Sequence, residues 1–452
     1  MLWQALRNKN IKSLILRSWS ISWPMTCIMF FVFLIGLSDV YVAGRISKEV
    51  QAAYGLASQL YFIFSIIAFA LTAGTVSVIS RLFSFAAKDD FNIAVDSSLI
   101  SAIAAGILLS LFALAFSGSI INSFNVPQVL KGLAAPLIRI YSFSLLFNYL
   151  LLNTNGILRS CGKIKQSLLT MAVVSLLNIG LNFTLSFGTP LGFKGIAAAT
   201  GISTLIGCFL NLFFLKNVMT RRFKFSLAII RNIFSIGWPA GVLQIFWQLS
   251  VLALFLIISA LPENNIEILA AFTNGLKIES VIFLPAFAFN MASAVVVGNL
   301  LGKNNQEDAF SAGIVTALAG VTIVSALTVM VMFNGSAAAA LISNNDIVIR
   351  ESIRYIYIAL LSEPVMAWGV ILAGGLNGAG DTRRVMAAVV LSVWLVRVPL
   401  SYLLGVYFKL GAPAIWWSMN LSVALQAILI TKRYFSKKWF ACKGNGGVSP
   451  GH

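Results

Sequence analysis

The sequence predicts an all-α polytopic membrane protein, with twelve transmembrane helices in two pseudo-symmetric six-helix bundles. Three observations carry this expectation. The chain is 59% hydrophobic and 10% charged, where a soluble protein carries about 25% charged residues. Apolar runs long enough to cross a bilayer, for which about 20 residues suffice, alternate with charged or Gly/Pro-rich segments. Motifs of the first half recur in the second at a nearly constant spacing.

The first six spans are 18–44, 52–80, 97–120, 134–158, 166–188 and 194–216. The second six are 233–261, 268–300, 310–334, 352–378, 385–407 and 411–433. Several exceed the minimum length and are expected to tilt or bend. The first holds Pro24 near its start and Asp39 near its end. An ionised carboxylate inside a membrane helix costs at least about 2.5–3.5 kcal/mol and marks a functional position by default; the bland alternative is a carboxylate solvated at the outer interface. The preceding stretch, MLWQALRNKNIKSLILRSWS, has no small-residue cleavage site and reads as an amphipathic cytoplasmic lead-in.

Charge sets the orientation. With the N-terminus inside, 22 of the 32 Lys and Arg fall in inner segments and 8 in outer loops, the asymmetry of the positive-inside rule. Both termini are thus expected in the cytoplasm, in a multi-pass protein of the inner or plasma membrane. The same asymmetry accounts for much of the net charge of +18 without a nucleic-acid partner. Cys27, Cys161, Cys208 and Cys442 are scattered, with no CxxC spacing or disulfide framework, and the only histidine is His452. A buried His metal site and His-based catalysis are excluded.

The longest inner loop, Lys216 to Asn232, has the look of a linker between halves. Trp23-Pro24 recurs as Trp238-Pro239, the segment from Thr75 as that from Ser293, that from Gly156 as that from Gly374, and that from Gly192 as that from Gly411, at offsets of 215, 218, 218 and 219. Four matches in order at a near-constant offset indicate a duplication. The expected divisions are an N-terminal lobe 1–217, a cytoplasmic linker 218–232, a C-terminal lobe 233–434 and a basic cytoplasmic tail 435–452. Six spans per half give both halves the same orientation, an arrangement found in transporters whose lobes rock around a central site.

Depth groups the polar residues within the spans. Asp39 lies 6 residues before Arg45, Asn182 6 before Gly188, and Thr200 6 after Lys194, so all three sit about 9 Å below the outer surface. Asn178 is one turn deeper on the face of Asn182. Together they make a cluster able to hold a proton on Asp39 or to ligate Na⁺ through oxygen; the alternative is ordinary hydrogen bonding between helices. Lys277 and Glu279 are close enough in sequence to neutralise one another. Glu363, beside Pro364, either lines a cavity or serves structure. Arg397 either snorkels or pairs with an acid. Asp381 reads as a turn or helix cap, and Asp89-Asp90 as solvated surface. Pro24, Pro239, Pro285 and Pro364 each remove a backbone hydrogen bond and permit a bend. The aromatic residues, 34 Phe and 10 Trp, suit a cavity for cations as well as lipid-facing surface.

Over nearly its whole length the chain resembles the multidrug and toxic compound extrusion (MATE) family. The resemblance rests on WPMTCIMFFVFLIGLSDVYVAGRIS, GILRSCGKIKQSLLTMAVVSLLNIGLN, LGFKGIAAATGIS, IGWPAGV, GGLNGAGDTR and RVPLSYLLG. It implies a V-shaped pair of six-helix bundles and efflux of substrate in exchange for H⁺ or Na⁺. Asp39 matches the family's first-helix acid, and Pro24 a first-helix proline whose bend responds to protonation. Asn178 and Thr200 match polar partners in helices 5 and 6. Asn182 matches a position where some members carry a second acid, and its amide points to a single-acid, DinF-like arrangement. Asn155, Met171 and Ser175 match cavity-lining positions, to which Glu363 is added as a cavity candidate in the second half. Sodium-coupled NorM-like members carry an acid in helix 7, where this chain has Gln248, so a cation site in that lobe is not expected.

The expected function is secondary active efflux of amphipathic or cationic small molecules by alternating access. No enzyme activity and no cofactor are expected. The coupling ion is H⁺, with Na⁺ at Asp39, Asn178, Asn182 and Thr200 as the alternative. The expected partners are small-molecule substrates and the lipid bilayer, with the chain a monomer. A lipid or lipid-linked oligosaccharide flippase is the alternative within transporters; a count of fourteen spans would favour it. A membrane prenyltransferase would need paired acids in DDxxD spacing, which KDDFN does not supply.

Overall fold

A computed structural model describes residues 10–84, 88–123, 127–216, 224–336 and 345–441. Cys442, His452, most of the basic tail and the first part of the linker lie outside the described residues. Twelve helices among the described residues are long and apolar enough to cross a membrane: α1 Ile11–Ile46, α2 Lys48–Ser84, α3 Lys88–Ser123, α4 Gln128–Ser160, α5 Ile164–Phe187, α6 Lys194–Lys216, α7 Leu227–Ser259, α8 Asn265–Gly302, α9 Gln306–Phe333, α10 Asp346–Gly378, α11 Thr382–Tyr407 and α12 Ala412–Phe435. The all-helical expectation and the number of spans hold. The longest, α8 with 38 residues, reaches about 57 Å at 1.5 Å per residue, well beyond the hydrocarbon core.

Local chemistry sets several boundaries. Asn305 caps α9 by accepting from the Asp308 amide, and Asn345 caps α10 by accepting from the amides of Ile347 and Val348, which satisfies donors that a first turn leaves open. Asp89 and Asp90 fall in the first turn of α3, where negative charge complements the helix dipole. Asp381 precedes α11 without a side-chain cap bond. It binds Arg433 Nε at 2.5 Å instead, which replaces the capping expectation with an ion pair between helix ends.

Two compact units share the described residues. Cys27–Gly241 form one; the residues up to Thr26 and those from Val242 onward form the other. In the first unit α4 packs against α2, α3, α5 and α6; in the second α10 packs against α8, α9, α11 and α12, the same pattern six helices later. Both boundaries fall two residues beyond a repeated proline, Pro24 in α1 and Pro239 in α7. The start of α1 is held in the second unit by Asn10 Nδ2 donating to Asp308 at 3.2 Å, Thr316 donating to Ser18 at 2.9 Å, and Trp19 against Phe289. The start of α7 is held in the first unit. There the amides of Lys224 and Ser226 donate to Asp96 and Ser97 at 3.0 and 2.9 Å, and α7 crosses α2 at two glycines. A Cβ at Gly74 would collide with the Ile233 carbonyl oxygen, and one at Gly237 with that of Ala70, so any side chain would force the helices apart.

Polarity is turned inward. Leu108, Leu111, Phe209 and Phe213 are exposed, while Asn153, Asn178, Asn182, Asn211 and Arg397 are buried. Lipid offers apolar side chains the environment a core would, so helices associate through packing and polar contacts.

Candidate functional site

Asp39 lies near the outer end of α1, 4% exposed. Asn182 Nδ2, from α5, donates to its Oδ1 at 2.5 Å, and the Tyr54 hydroxyl, from α2, donates to its Oδ2 at 3.3 Å. Asn182 Nδ2 also lies 3.2 Å from Asn178 Oδ1 and 3.3 Å from Ser38 Oγ. Asn178 Nδ2 in turn donates to Thr200 Oγ1 at 3.3 Å, and Thr200 passes its own proton to the Ile196 carbonyl, one turn back in α6. Asp39, Asn178, Asn182 and Thr200, which depth groups, are thus one hydrogen-bonded chain across three helices. No Lys or Arg forms an ion pair with Asp39 among the described residues.

Sequence reasoning missed Ser38, Tyr54 and Tyr141. The Tyr141 ring, tilted against Tyr61 with centroids 4.8 Å apart, is buried in α4 and lies within electrostatic reach of Asp39 and hydrogen-bonding reach of Thr200. A tyrosine inside an apolar helix reads as core. The available signal was depth: Tyr54 is 6 residues past Lys48, the outer end of its helix, the same distance that groups the others.

The arrangement of Asn182 is informative. Its Nδ2 carries two hydrogens and faces three acceptors, whereas its Oδ1 is buried with no partner. The ends of an amide are set by the network around it. The present orientation serves an ionised Asp39; turned about its terminal bond, the amide offers an acceptor to a protonated Asp39.

Below this cluster one face of α5 continues inward through Ser175, Met171 and Ser167, spaced three or four residues apart and buried. Ser175 Oγ donates to the Phe31 carbonyl at 3.2 Å. Ser167 donates to Asn155 Oδ1 at 2.7 Å, and Asn155 Nδ2 lies 3.3 Å from Met171 Sδ. Asn155, Met171 and Ser175 therefore share one file with the Asp39 cluster. Pro24 sits within α1, which continues unbroken to Ile46. Glu363 belongs to the other unit and joins none of these residues. A cation at Asp39 would find one carboxylate and otherwise neutral oxygens from Asn178, Asn182, Thr200 and Tyr54, a donor set suited to H⁺ or a hard monovalent ion. The described residues hold no group of three or more His, Cys, Asp or Glu side chains placed for a metal.

Comparison with known proteins adds to this geometry. The MatE family model matches residues 24–184 and again 239–403, once in each half. The chain is 22% identical over 434 residues to the uncharacterized transporter YisQ of Bacillus subtilis, covering 93% of this chain and 94% of that one. It is 23% identical over 425 residues to the probable multidrug resistance protein NorM of Thermotoga maritima, covering 90% and 89%. A solved outward-facing conformation of a multidrug resistance MATE family transporter of the MOP superfamily aligns with a TM-score of 0.89 at 21% identity over 95% of this chain and 99% of that chain. A MOP superfamily transporter from Pyrococcus furiosus aligns with a TM-score of 0.87 at 22% identity over 96% and 98%.

Proposed function

The chain belongs to the MatE family of multidrug efflux transporters, and on that premise we propose that it is a proton-coupled antiporter in which Asp39 carries the exchanged proton. The observation that carries this reading is a buried carboxylate held only by neutral hydrogen-bonding groups. With no cation beside it, the charge of Asp39 depends on the proton itself. Ionised, it accepts from Asn182 and Tyr54; protonated, it donates to the turned Asn182 amide. The two forms thus favour different arrangements of α1 against α5, which is what coupling needs, because a ligand shifts an equilibrium only through differential affinity. Pro24, below Asp39 in the same helix, is where the difference in arrangement is taken up.

In this reading the substrate is an amphipathic or cationic small molecule, and Asn155, Met171 and Ser175 line its cavity. The chain works as a monomer in the inner or plasma membrane with both termini cytoplasmic, consistent with the Lys and Arg distribution. Residues 1–217 and 233–434 act as the two lobes of an alternating-access cycle joined by 218–232, with 435–452 as a basic tail. The single acid supports the DinF-like branch. Twelve spans among the described residues fall short of the fourteen that would favour a flippase.

The test is uptake of ethidium into inside-out proteoliposomes under an imposed pH gradient or an imposed Na⁺ gradient. Accumulation driven by the pH gradient alone is expected; accumulation driven only by Na⁺ would move the same site to Na⁺ coupling.

A further inference from the structure

The second unit holds its own ionisable side chains within the spans, Glu363 and Arg397 buried and Glu279 half-buried. Glu279 of α8, Glu363 of α10 and Arg397 of α11 each lie near the midpoint of their helix, the depth at which an ionisable side chain is most costly and marks function by default. Glu279 interacts electrostatically with both Arg397 and Glu363. Arg397, 3% exposed, donates through Nε to Ser422 Oγ at 2.8 Å, and its guanidinium carbon lies 5.2 Å from the centroid of the Trp247 ring. It ends the π-helical stretch Val393–Arg397, a helix irregularity frequent at functional sites.

Counting charges assigns Glu363 its role. A guanidinium stays charged and balances one carboxylate. Two carboxylates, Glu279 and Glu363, interact with one another beside this single guanidinium, so one is left over. Glu363 is 5% exposed, and its Oε2 is buried with no hydrogen-bond partner. Among the described residues no Lys or Arg forms an ion pair with it, and Arg383 and Arg384 of α11 lie in the first turn of that helix. Charged residues are absent from α7 beyond Arg231, from α9 beyond Asp308 and from α12 before Lys432. Lys277 of α8 is exposed. On α10 itself Arg354 pairs with Glu351, and Arg350 lies a further turn away. Lys12 and Arg17 of α1 precede Ser18, which meets Thr316 of α9. A lone carboxylate so placed takes a proton or a cation rather than stand charged. One spare donor is close by: Nε1 of Trp416, buried and without a partner, on a ring that packs against Tyr355 at 4.7 Å, while the Tyr355 hydroxyl is engaged by Glu279.

We infer that Glu363 is a second proton-binding site, in the half opposite Asp39, with Glu279 and Arg397 as its charged neighbours. The proton enters from water onto a Glu363 carboxylate oxygen and returns to water, with no other bond changed. The site stands whether or not Asp39 couples transport.

The test is infrared difference spectroscopy of the full chain in lipid nanodiscs, titrated with acid and repeated with ¹³C-labelled glutamate. A protonated carboxyl C=O band that shifts with the glutamate label, survives Asp39→Asn and disappears in Glu363→Gln is expected. Should Glu363→Gln fail to fold, Glu363→Asp is recorded instead and must lose the glutamate-label shift of the band. Absence of such a band in the wild type, its persistence in Glu363→Gln, or its loss on adding Na⁺ at constant pH would overturn the inference. Ethidium accumulation gives a second readout. At zero membrane potential a one-unit pH gradient sustains about a hundredfold substrate gradient if two protons are exchanged and about tenfold if one. The wild type is expected at the first value and Glu363→Gln at the second; equal values contradict a second coupled proton.

Discussion

The two halves repeat one fold but place charge in it by different rules. Around Asp39 an acid meets only neutral groups, and its charge is free to follow the proton. In the other half two acids, Glu279 and Glu363, lie near one permanent cation, Arg397, which leaves one acid over. The clusters are not copies. At the repeat offsets, Asp39, Asn178 and Asn182 correspond to Leu254, Val396 and Leu400, while Glu279, Glu363 and Arg397 correspond to Tyr61, Leu145 and Ile179. Each half is apolar or aromatic where the other is polar. The duplicated helices supply a frame, and each half has placed its buried polar residues on a different part of it. An acid held by neutral donors can switch; where two acids share one arginine, one of them can.

Breaking each cluster separates these rules. The largest effect is expected for Arg397→Met, which strands buried carboxylates without their counter-charge. Loss of this buried charge, with its bond to Ser422, is expected to cost about 3 kcal/mol, read as a lowered thermal unfolding midpoint in detergent, and adding Glu279→Gln recovers part of it. Asn182→Leu, in the other half, removes a hydrogen bond to a carboxylate, worth about 1.5–3 kcal/mol; it weakens pH-driven efflux more than it lowers stability. Tyr54→Phe removes the longer, 3.3 Å bond to Asp39. Losing a donor to the ionised form keeps the proton on to higher pH, so the midpoint of the efflux–pH profile rises by about one unit. Thr200→Val removes the hydroxyl that accepts from Asn178 and lies at the edge of the Asp39 site; it moves that midpoint less than Tyr54→Phe does and changes stability by less than about 1 kcal/mol.

The sequence makes the frame and one cluster legible for a shared physical reason. Membrane helices announce themselves by length and hydropathy, and distance from a charged helix end converts directly into depth. Asp39, Asn178, Asn182 and Thr200 therefore group by counting along the chain. The other cluster is harder to read, because its members pair across helices. Lys277 and Glu279 are neighbours in sequence, yet residues two apart do not face each other on a helix; Lys277 is exposed and Glu279 turns inward toward Arg397. Arg433 takes Asp381 from a cap in the same way. Nor does sequence show that α1 and α7 change unit two residues beyond Pro24 and Pro239, since that depends on contacts such as Gly74 with Ile233.

The most direct test of the central claim compares wild type and Asp39→Asn in the same proteoliposomes, measuring ethidium accumulation under a pH gradient together with ethidium exchange at equal pH. Loss of gradient-driven accumulation to the level of protein-free vesicles, with exchange retained, is the predicted result. Gradient-driven accumulation unchanged in Asp39→Asn would contradict the assignment of the coupling proton to Asp39.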